Sequence, residues 1–290
     1  MPETSEVAPE APRKKPGSRP DLATLGGLAL ALGGILGGLV LEQGKVKDVA
    51  QLTAAMIVLG GTLGAVMVTT PLGLLWRAAA KLPAVFFESG YAPEAVIEQL
   101  IGYAAKARKN GIVSLEEDTE TIADPFLRKA LNLAVDGADL QELRRMMDLE
   151  LELEEQRGEA EAKVYEAAGG YAPTIGIIGA VLGLIQVMKH LANIDEVGRG
   201  IAVAFVATVY GVASANIFFL PAGAKLKARM RAAVQLRELM LEGVLSIAEG
   251  LNPKLIRIKL QAYAQPAPAR KASKPSAAPA GATAEAAAGD

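Results

Sequence analysis

Four long stretches of the chain contain no charged residue and consist mainly of apolar side chains. They cover residues 22–41, 49–76, 167–188 and 200–224. Each has about 20 residues or more, which is enough for a helix to cross the hydrocarbon core of a bilayer. A membrane barrel would instead show strands of about 10 residues with alternating character. The pattern therefore predicts four transmembrane helices.

An excess of basic residues lies beside one end of three of the apolar stretches. They are Arg13, Lys14, Lys15 and Arg19 before the first, Arg77 and Lys81 after the second, and Lys225, Lys227, Arg229 and Arg231 after the fourth. The short connections at residues 42–48 and 189–199 are balanced in charge. Because Lys and Arg accumulate on the cytoplasmic side of membrane proteins, we expect both termini and residues 77–166 to be cytoplasmic.

The segment between the second and third stretches has helical periodicity. Pro93 is the expected start of one helix and Gly111 its end, Asp124 caps a second, and Asp139 caps a long third helix. That third helix carries an acidic run, for which a solvated helix face is a better interpretation than an ion funnel or a partner surface. We find no strand pattern, so the predicted fold class is all-α.

The pattern divides the chain into six parts. These are a disordered cytoplasmic tail (1–20), transmembrane helices 1 and 2 (21–76), a cytoplasmic helical domain (77–166), transmembrane helices 3 and 4 (167–224), cytoplasmic amphipathic helices (225–264) and a disordered Ala/Pro-rich tail (265–290).

Composition excludes several functions. The net charge of -2 gives no basic excess for binding nucleic acid, and the absence of cysteine together with a single histidine argues against zinc and thiol sites. No nucleophile–base pair or phosphate-binding loop can be assembled, so we expect neither enzymatic activity nor a cofactor.

The four apolar stretches contain no carboxylate. A chain that carried protons or sodium alone would be expected to place one at membrane depth, so any ion site must be completed by a second subunit. This chain offers neutral polar groups, including Thr174 and Thr208, although such hydroxyls often bond to their own helix. Pro173 and Pro221 either mark the ends of helices or act as hinges, and the sequence does not distinguish between these two interpretations. Glycine pairs four positions apart predict close helix packing, and there are four of them: Gly33/Gly37, Gly34/Gly38, Gly60/Gly64 and Gly179/Gly183.

Several segments resemble the MotA/PomA flagellar stator subunits of the MotA/TolQ/ExbB superfamily. They are residues 171–185 (YAPTIGIIGAVLGLI), 200–211 (GIAVAFVATVYG), 216–221 (NIFFLP), 21–24 (DLAT), 58–65 (VLGGTLGA) and 107–116 (ARKNGIVSLE). The order and the predicted topology fit that family over roughly residues 21–260.

The resemblance implies an assembly in the bacterial inner membrane. Such subunits form a homo-oligomeric, pentameric ring around a dimer of MotB-type chains, whose membrane Asp binds the ion. Ion flow turns the ring, which drives the rotor protein FliG through the cytoplasmic domain.

The resemblance also implies roles for individual residues. Arg108 and Glu116 match the charged pair that contacts FliG, and Pro173 and Pro221 match two prolines near the ion site. On the ion pathway, Thr208 matches a threonine in the fourth helix of the family. We also assign Thr174 to the pathway, because it is a neutral polar residue in the third apolar stretch.

Ala180 and Ala207 stand where the sodium-type pattern has threonine. Two missing hydroxyls leave fewer ligands for a hard cation, so we expect proton transport rather than sodium transport. Two alternatives are a TolQ/ExbB-like energising subunit, which would have three spans, and a membrane scaffold that conducts nothing.

Overall fold

The computed structural model describes residues 19–88 and 92–264, and these residues are almost entirely helical. In chain order the longer helices are α1 (Leu22–Leu41), α2 (Leu52–Thr69), α3 (Leu72–Lys81), α4 (Pro93–Asn110), α5 (Pro125–Val135), α6 (Leu140–Lys189), α7 (Ile194–Ala248) and α8 (Pro253–Ala264). Short helical turns lie at Val46–Val49, Pro83–Phe86, Ile112–Leu115 and Glu116–Thr121. The predicted all-α fold is confirmed.

One short strand pairing was not anticipated by the sequence. Arg19–Pro20 runs antiparallel to Phe87–Glu88, with Pro20 opposite Phe87. The backbone N–H of Asp21 continues the contact by donating to the carbonyl of Phe86 at 2.8 Å. The last two residues of the predicted N-terminal tail are therefore ordered, whereas residues 1–18 and the predicted tail at 265–290 lie outside the described residues.

Helices α1, α2, α6 and α7 are each long and apolar enough to cross a membrane, as predicted. Helix α1 coincides with the first apolar stretch. The second stretch is divided, because Thr70 adopts an extended conformation before Pro71 and a new helix starts at Leu72. The absence of charge predicted one helix over this whole stretch, but Pro71 ends that helix.

The third and fourth stretches belong to helices that extend far beyond them. Helix α6 has 50 residues and α7 spans 55, so each joins a membrane segment to a polar segment without a break. Pro173 lies inside α6, and Pro221 lies where the last α-helical section of α7 begins, so both helices continue past their prolines. A role of these prolines as hinges stays a prediction.

We call residues 93–166, which include α4, α5 and the first part of α6, together with residues 225–248 of α7 and with α8, the extramembrane domain. The predicted boundaries are found there: α4 ends at Gly111 with φ +84°, and Asp124 and Asp139 cap α5 and α6 through their side chains. Large buried apolar side chains from every helix form one core. Its fully buried members include Leu100, Leu115, Leu127, Leu131, Leu143, Met147, Leu239, Met240, Ile256 and Leu260.

Candidate functional site

The membrane segments of α6 and α7 form a hairpin, which we call the membrane hairpin (residues 167–213), held by backbone-to-backbone contact. A Cβ atom on Gly183 would lie 2.7 Å from the carbonyl oxygen of Gly200, and one on Gly211 would lie 2.6 Å from that of Ala172. Real side chains cannot approach so closely, so only glycine permits this spacing of the helices.

The close packing predicted for four glycine pairs is found for one pair and not for the other three. Gly179 and Gly183 are both buried in the hairpin, as predicted. A Cβ atom on any member of the other three pairs would meet no atom within 4 Å. These are Gly33/Gly37, Gly34/Gly38 and Gly60/Gly64. In the part of the chain that the structure describes, these six glycines therefore make no close helix contact.

Thr208 and Ala207 lie where α7 approaches α6. The hydroxyl of Thr208 donates to the carbonyl oxygen of Ala204 at 3.2 Å, so its proton is bound within the helix while its oxygen can still accept. Ala207 is fully buried, and a Cβ atom on Gly179 would lie 2.7 Å from its methyl group. The position of Ala207 thus contributes a packed methyl group and no oxygen.

Thr174 and Ala180 lie on α6. Thr174 is exposed, and its hydroxyl donates to the carbonyl of Tyr171 at 2.8 Å. Since Thr174 is two residues from the inward-facing Gly176, it is rotated by about 200° to the side away from α7. Ala180 is half-buried beside Gly179. The single chain therefore groups Ala180, Ala207 and Thr208 around one level of the hairpin but directs Thr174 elsewhere.

The two prolines lie at different levels along the helix pair formed by α6 and α7. Pro173 lies against Gly211, whereas Gly169, four residues earlier, faces Leu220 beside Pro221. The offset is about 6 Å along the helix axis. Pro221 follows a π-helical segment at Ser214–Phe219. This widening accommodates a proline ring, which lacks an N–H and would clash with the carbonyl four residues earlier.

Polar side chains bond the backbone in this π-helical segment. The hydroxyl of Ser214 donates to the carbonyl of Gly211 at 3.2 Å, and the side-chain amide of Asn216 donates to that of Val212 at 2.9 Å. A wide turn in a membrane helix needs such partners, because lipid offers no hydrogen bonds. Both side chains therefore have a structural use in this conformation.

No group of His, Cys, Asp and Glu suited to a metal ion occurs in residues 19–88 and 92–264. The acidic side chains that flank the apolar parts of the hairpin are Glu166 on α6 and Asp195 and Glu196 at the start of α7. Between these ends, residues 167–188 and 200–213 of the hairpin present carbonyls, hydroxyls and apolar surface but no acidic or basic side chain.

Arg108 and Glu116 lie on an exposed turn at the end of α4. Gly111 reverses the chain with its positive φ, Leu115 is fully buried and anchors the turn, and both charged residues are exposed. The ion pair between Lys106 Nζ and Asp118 Oδ2, 2.6 Å, links α4 to the helix that begins at Glu116. The turn thus holds a basic helix end and an acidic helix start side by side.

The acidic run of α6 is partly neutralised by other helices. Lys129 of α5 binds Glu150 at 2.6 Å, Arg237 of α7 binds Glu154, and Lys227 lies 3.3 Å from Glu159. The ion contact to Lys227 lowers the pKa of Glu159. These acidic residues therefore help to dock α5 and α7 against α6, a use that sequence analysis did not identify.

Asp21 is a site residue whose role sequence analysis missed. Its carboxylate accepts from the N–H of Thr24 at 3.1 Å, which caps α1, and binds Lys225 Nζ at 2.5 Å and Arg229 at 2.7 Å. Arg229 also donates to the carbonyls of Ala84 and Phe87. The Lys225 ammonium, with the cap and Arg229, holds the pKa of Asp21 well below its usual range. The signal in the sequence was an Asp directly before an apolar stretch.

Comparison with known proteins gives consistent matches along the chain. The model of the MotA/TolQ/ExbB proton channel family matches residues 118–239, and that of the motility protein A N-terminal region matches residues 25–111. Motility protein A of Bacillus subtilis (strain 168) is 37% identical over 247 residues, covering 84% of this chain and 90% of that protein.

Two solved structures are similar in fold and sequence. The structure of C. jejuni MotAB gives a TM-score of 0.81 at 35% identity, covering 84% of this chain and 95% of that chain. The flagellar MotAB stator complex from Bacillus subtilis gives 0.78 at 37% identity, covering 84% and 96%.

Proposed function

The chain belongs to the MotA/TolQ/ExbB proton channel family, and from that premise we propose that it conducts protons through a channel shared with a MotB-type subunit and thereby turns the flagellar rotor. It is a stator subunit of the flagellar motor. The family consists of ion-channel subunits and is no known class of enzyme.

The observation that carries the proposal is the absence of charged residues from the two apolar stretches of the membrane hairpin. Neither of its apolar stretches contains an ionisable acid, yet a proton needs a group that binds and releases it at membrane depth. A membrane Asp supplied by a MotB-type chain meets that need. The two similar structures are MotAB complexes, which supports such a partner here.

The proposed ion is the proton, with sodium as the less favoured alternative. A sodium ion requires several oxygen ligands, and the positions of Ala180 and Ala207 provide none beside Thr208. A proton can pass with a single carboxylate and mobile water, so it needs fewer fixed ligands. We expect Thr174 and Thr208 to contribute acceptor oxygens along the path.

The apolar surface that one chain leaves uncovered supports a ring of copies. No residue of α1 is buried, and large apolar side chains along α6 such as Ile177, Val181 and Leu184 are exposed. Such faces fit lipid, other copies of the chain and the MotB-type helices. We propose that the chain forms a pentamer, as the resemblance to MotA-type subunits implies, in the bacterial inner membrane. The extramembrane domain and both termini would lie on the cytoplasmic side.

Arg108 and Glu116 are proposed to contact the rotor protein FliG. Both side chains are exposed at the turn after α4, and charged contacts at an exposed surface can engage and release quickly. Exchange of both charges (Arg108→Glu with Glu116→Lys) should abolish swimming with no loss of protein. Arg145→Glu, at an exposed position of α6, is the matched control and should swim normally.

Co-purification tests the shared channel. A tagged chain should retain a single-span subunit that carries a membrane Asp and a peptidoglycan-binding domain. Retention of a TolQ-type partner set, or of no membrane partner, would contradict the proposal. The motility protein A N-terminal match over residues 25–111 argues against the first of these outcomes, because it includes the first two spans.

A further inference from the structure

An open groove lies between α1 and the rest of the chain, at the end of the membrane spans where basic residues cluster. Its volume is about 350 Å³. One wall is a face of α1 with Gly27 and Ala31, and the other is formed by Phe86, Phe218 and Pro221, with Lys225 at one end. The groove is therefore lined mainly by apolar residues, with Thr24 and Asn216 as neutral polar residues, and it has a cation at one end.

The chain itself does not close this groove. A side chain at Gly27 would meet no atom within 4 Å, and α1 has no buried residue. Helix α1 is held near this level by the Asp21 contacts at its first turn. An empty apolar space beside a membrane helix forfeits dispersion contacts, so another molecule must fill it.

The polar end of the groove carries one more positive than negative charge. Asp21 faces two cations, Lys225 and Arg229. Arg229 is occupied further by the carbonyls of Ala84 and Phe87. Among the residues that the structure describes, Lys225 Nζ is paired with Asp21 alone, and its side chain is 34% exposed. An ammonium has three donors, so two of them remain for an acceptor outside the chain.

We propose that this groove binds one anionic phospholipid. The phosphate accepts from Lys225 Nζ, and one acyl chain lies along Gly27 and Ala31 against Phe218 and Pro221. Basic pockets between membrane helices bind anionic headgroups in this way, and the volume lies within the roughly 300–1,000 Å³ range of small-ligand sites.

The charge at the end of the groove favours an anionic lipid over a second copy of the chain. The four apolar stretches contain no acidic residue, so a membrane helix of a second copy would bring no anion to Lys225. A phospholipid carries an anionic phosphate next to an apolar chain. That chain is narrower than a helix, which is about 10 Å wide. The bound chain would also cover Pro221 and the π-helical segment, which one chain leaves open.

Filling the groove tests the proposal. The full-length chain is purified in mild detergent, incubated with phosphatidylglycerol or phosphatidylcholine, and analysed by native mass spectrometry for bound lipid. Gly27→Leu should displace about two methylene groups of the acyl chain and weaken phosphatidylglycerol binding about tenfold. Gly26→Leu is the matched control, since Gly26 also has no neighbour within 4 Å but does not line the groove. It should bind as the parent does.

The headgroup contact is tested separately, so the proposal stands or falls even if Gly27→Leu does not accumulate. Lys225→Gln should reduce the preference for phosphatidylglycerol over phosphatidylcholine about fivefold, whereas Lys227→Gln, which removes a partner of Glu159, should leave it unchanged.

Three results would overturn the proposal. The first is a parent chain without preference for the anionic lipid, and the second is equal binding by Gly27→Leu and Gly26→Leu. The third is a disulfide-linked dimer of Gly27→Cys in membranes. The chain has no other cysteine, so that dimer would put a second copy in the groove.

Discussion

The extramembrane domain and the membrane hairpin are held together by different kinds of side chain. The domain buries 22 apolar residues in one core, and each of the longer helices of the domain contributes to it. Among the described residues of the membrane part, one buried apolar cluster consists of the smaller side chains of Ala54, Val58, Val206 and Ala207, and the helices meet through glycine. The domain is thus stabilised by the burial of large side chains, and the hairpin by the close approach of backbones.

This difference follows from the solvent that each region faces. In water, burying large apolar side chains is favourable by itself. In lipid the surroundings are as apolar as the side chains, so helices gain mainly from close contact and hydrogen bonds. The domain is consequently complete within one chain, whereas the membrane part presents apolar faces that other molecules must cover.

The largest expected effect comes from breaking a glycine contact of the hairpin. Gly211→Leu would force a side chain against the backbone of Ala172 and Pro173, which cannot move aside, and should cost about 3 kcal/mol or more. We expect almost no folded protein in the membrane fraction by size-exclusion chromatography. Gly64→Leu adds the same side chain where nothing lies within 4 Å, and should leave the yield unchanged. Equal yields of the two variants would refute the role of close approach.

The next effect tests the core of the domain. Leu131→Ala removes a fully buried side chain and should lower the free energy of unfolding by about 3 kcal/mol. Urea denaturation in detergent, followed by circular dichroism, measures it. Leu149 is 55% exposed on α6, so Leu149→Ala should change the stability by less than about 0.5 kcal/mol. Similar losses for both would mean that the core does not stabilise the domain.

A smaller effect concerns the one acidic side chain buried in the domain core. Glu242 is 8% exposed and binds Arg144 at 3.0 Å and Lys259, both of which reach water. Removing both cations (Arg144→Ala with Lys259→Ala) leaves the buried carboxylate without a partner and should lower the free energy of unfolding by about 2 kcal/mol. Glu242→Gln leaves two cations that water can solvate, and should cost less than about 1 kcal/mol. The reverse order would contradict this account of the site.

The smallest effect is a dependence on pH. Burial opposes ionisation of Glu242, but the bonds from Lys259 and Arg144 outweigh it and lower its pKa from 4.5. Its contribution to stability is therefore present above pH 4.5 and is lost as the pH falls through the lowered pKa. The stability of the parent should fall more steeply below pH 4.5 than that of Glu242→Gln. Parallel curves in urea titrations at several pH values would exclude this contribution.

Sequence patterns predicted local features well. The limits of α1 followed from the absence of charge, and the caps at Asp124 and Asp139 from residue type alone. Such features depend on neighbours within a few positions. Where one local rule was neglected the prediction failed, as at Pro71, which divides a stretch that charge alone treated as one helix.

Long-range contacts were beyond sequence analysis. Asp21 and Arg229 are 208 positions apart, and nothing in either local pattern links them. Likewise, the sequence could not tell that Gly183 is in tight contact while Gly64 packs against nothing within the chain. Of the ion-pathway residues, the structure gathers Ala180, Ala207 and Thr208 at one level of the hairpin, and Thr174 points away from α7. Their roles in transport stay predictions, as do those of Arg108 and Glu116 at the rotor.

Ion flux tests most directly the central claim, that the domain is complete while the membrane part needs a partner. The full-length chain is reconstituted into liposomes alone, with the MotB-type subunit, or with that subunit carrying Asn in place of its membrane Asp, and proton entry is followed with a pH-sensitive dye. We predict flux only when the partner retains its Asp. Proton flux through the chain alone, or equal flux with the Asn variant, would contradict the account.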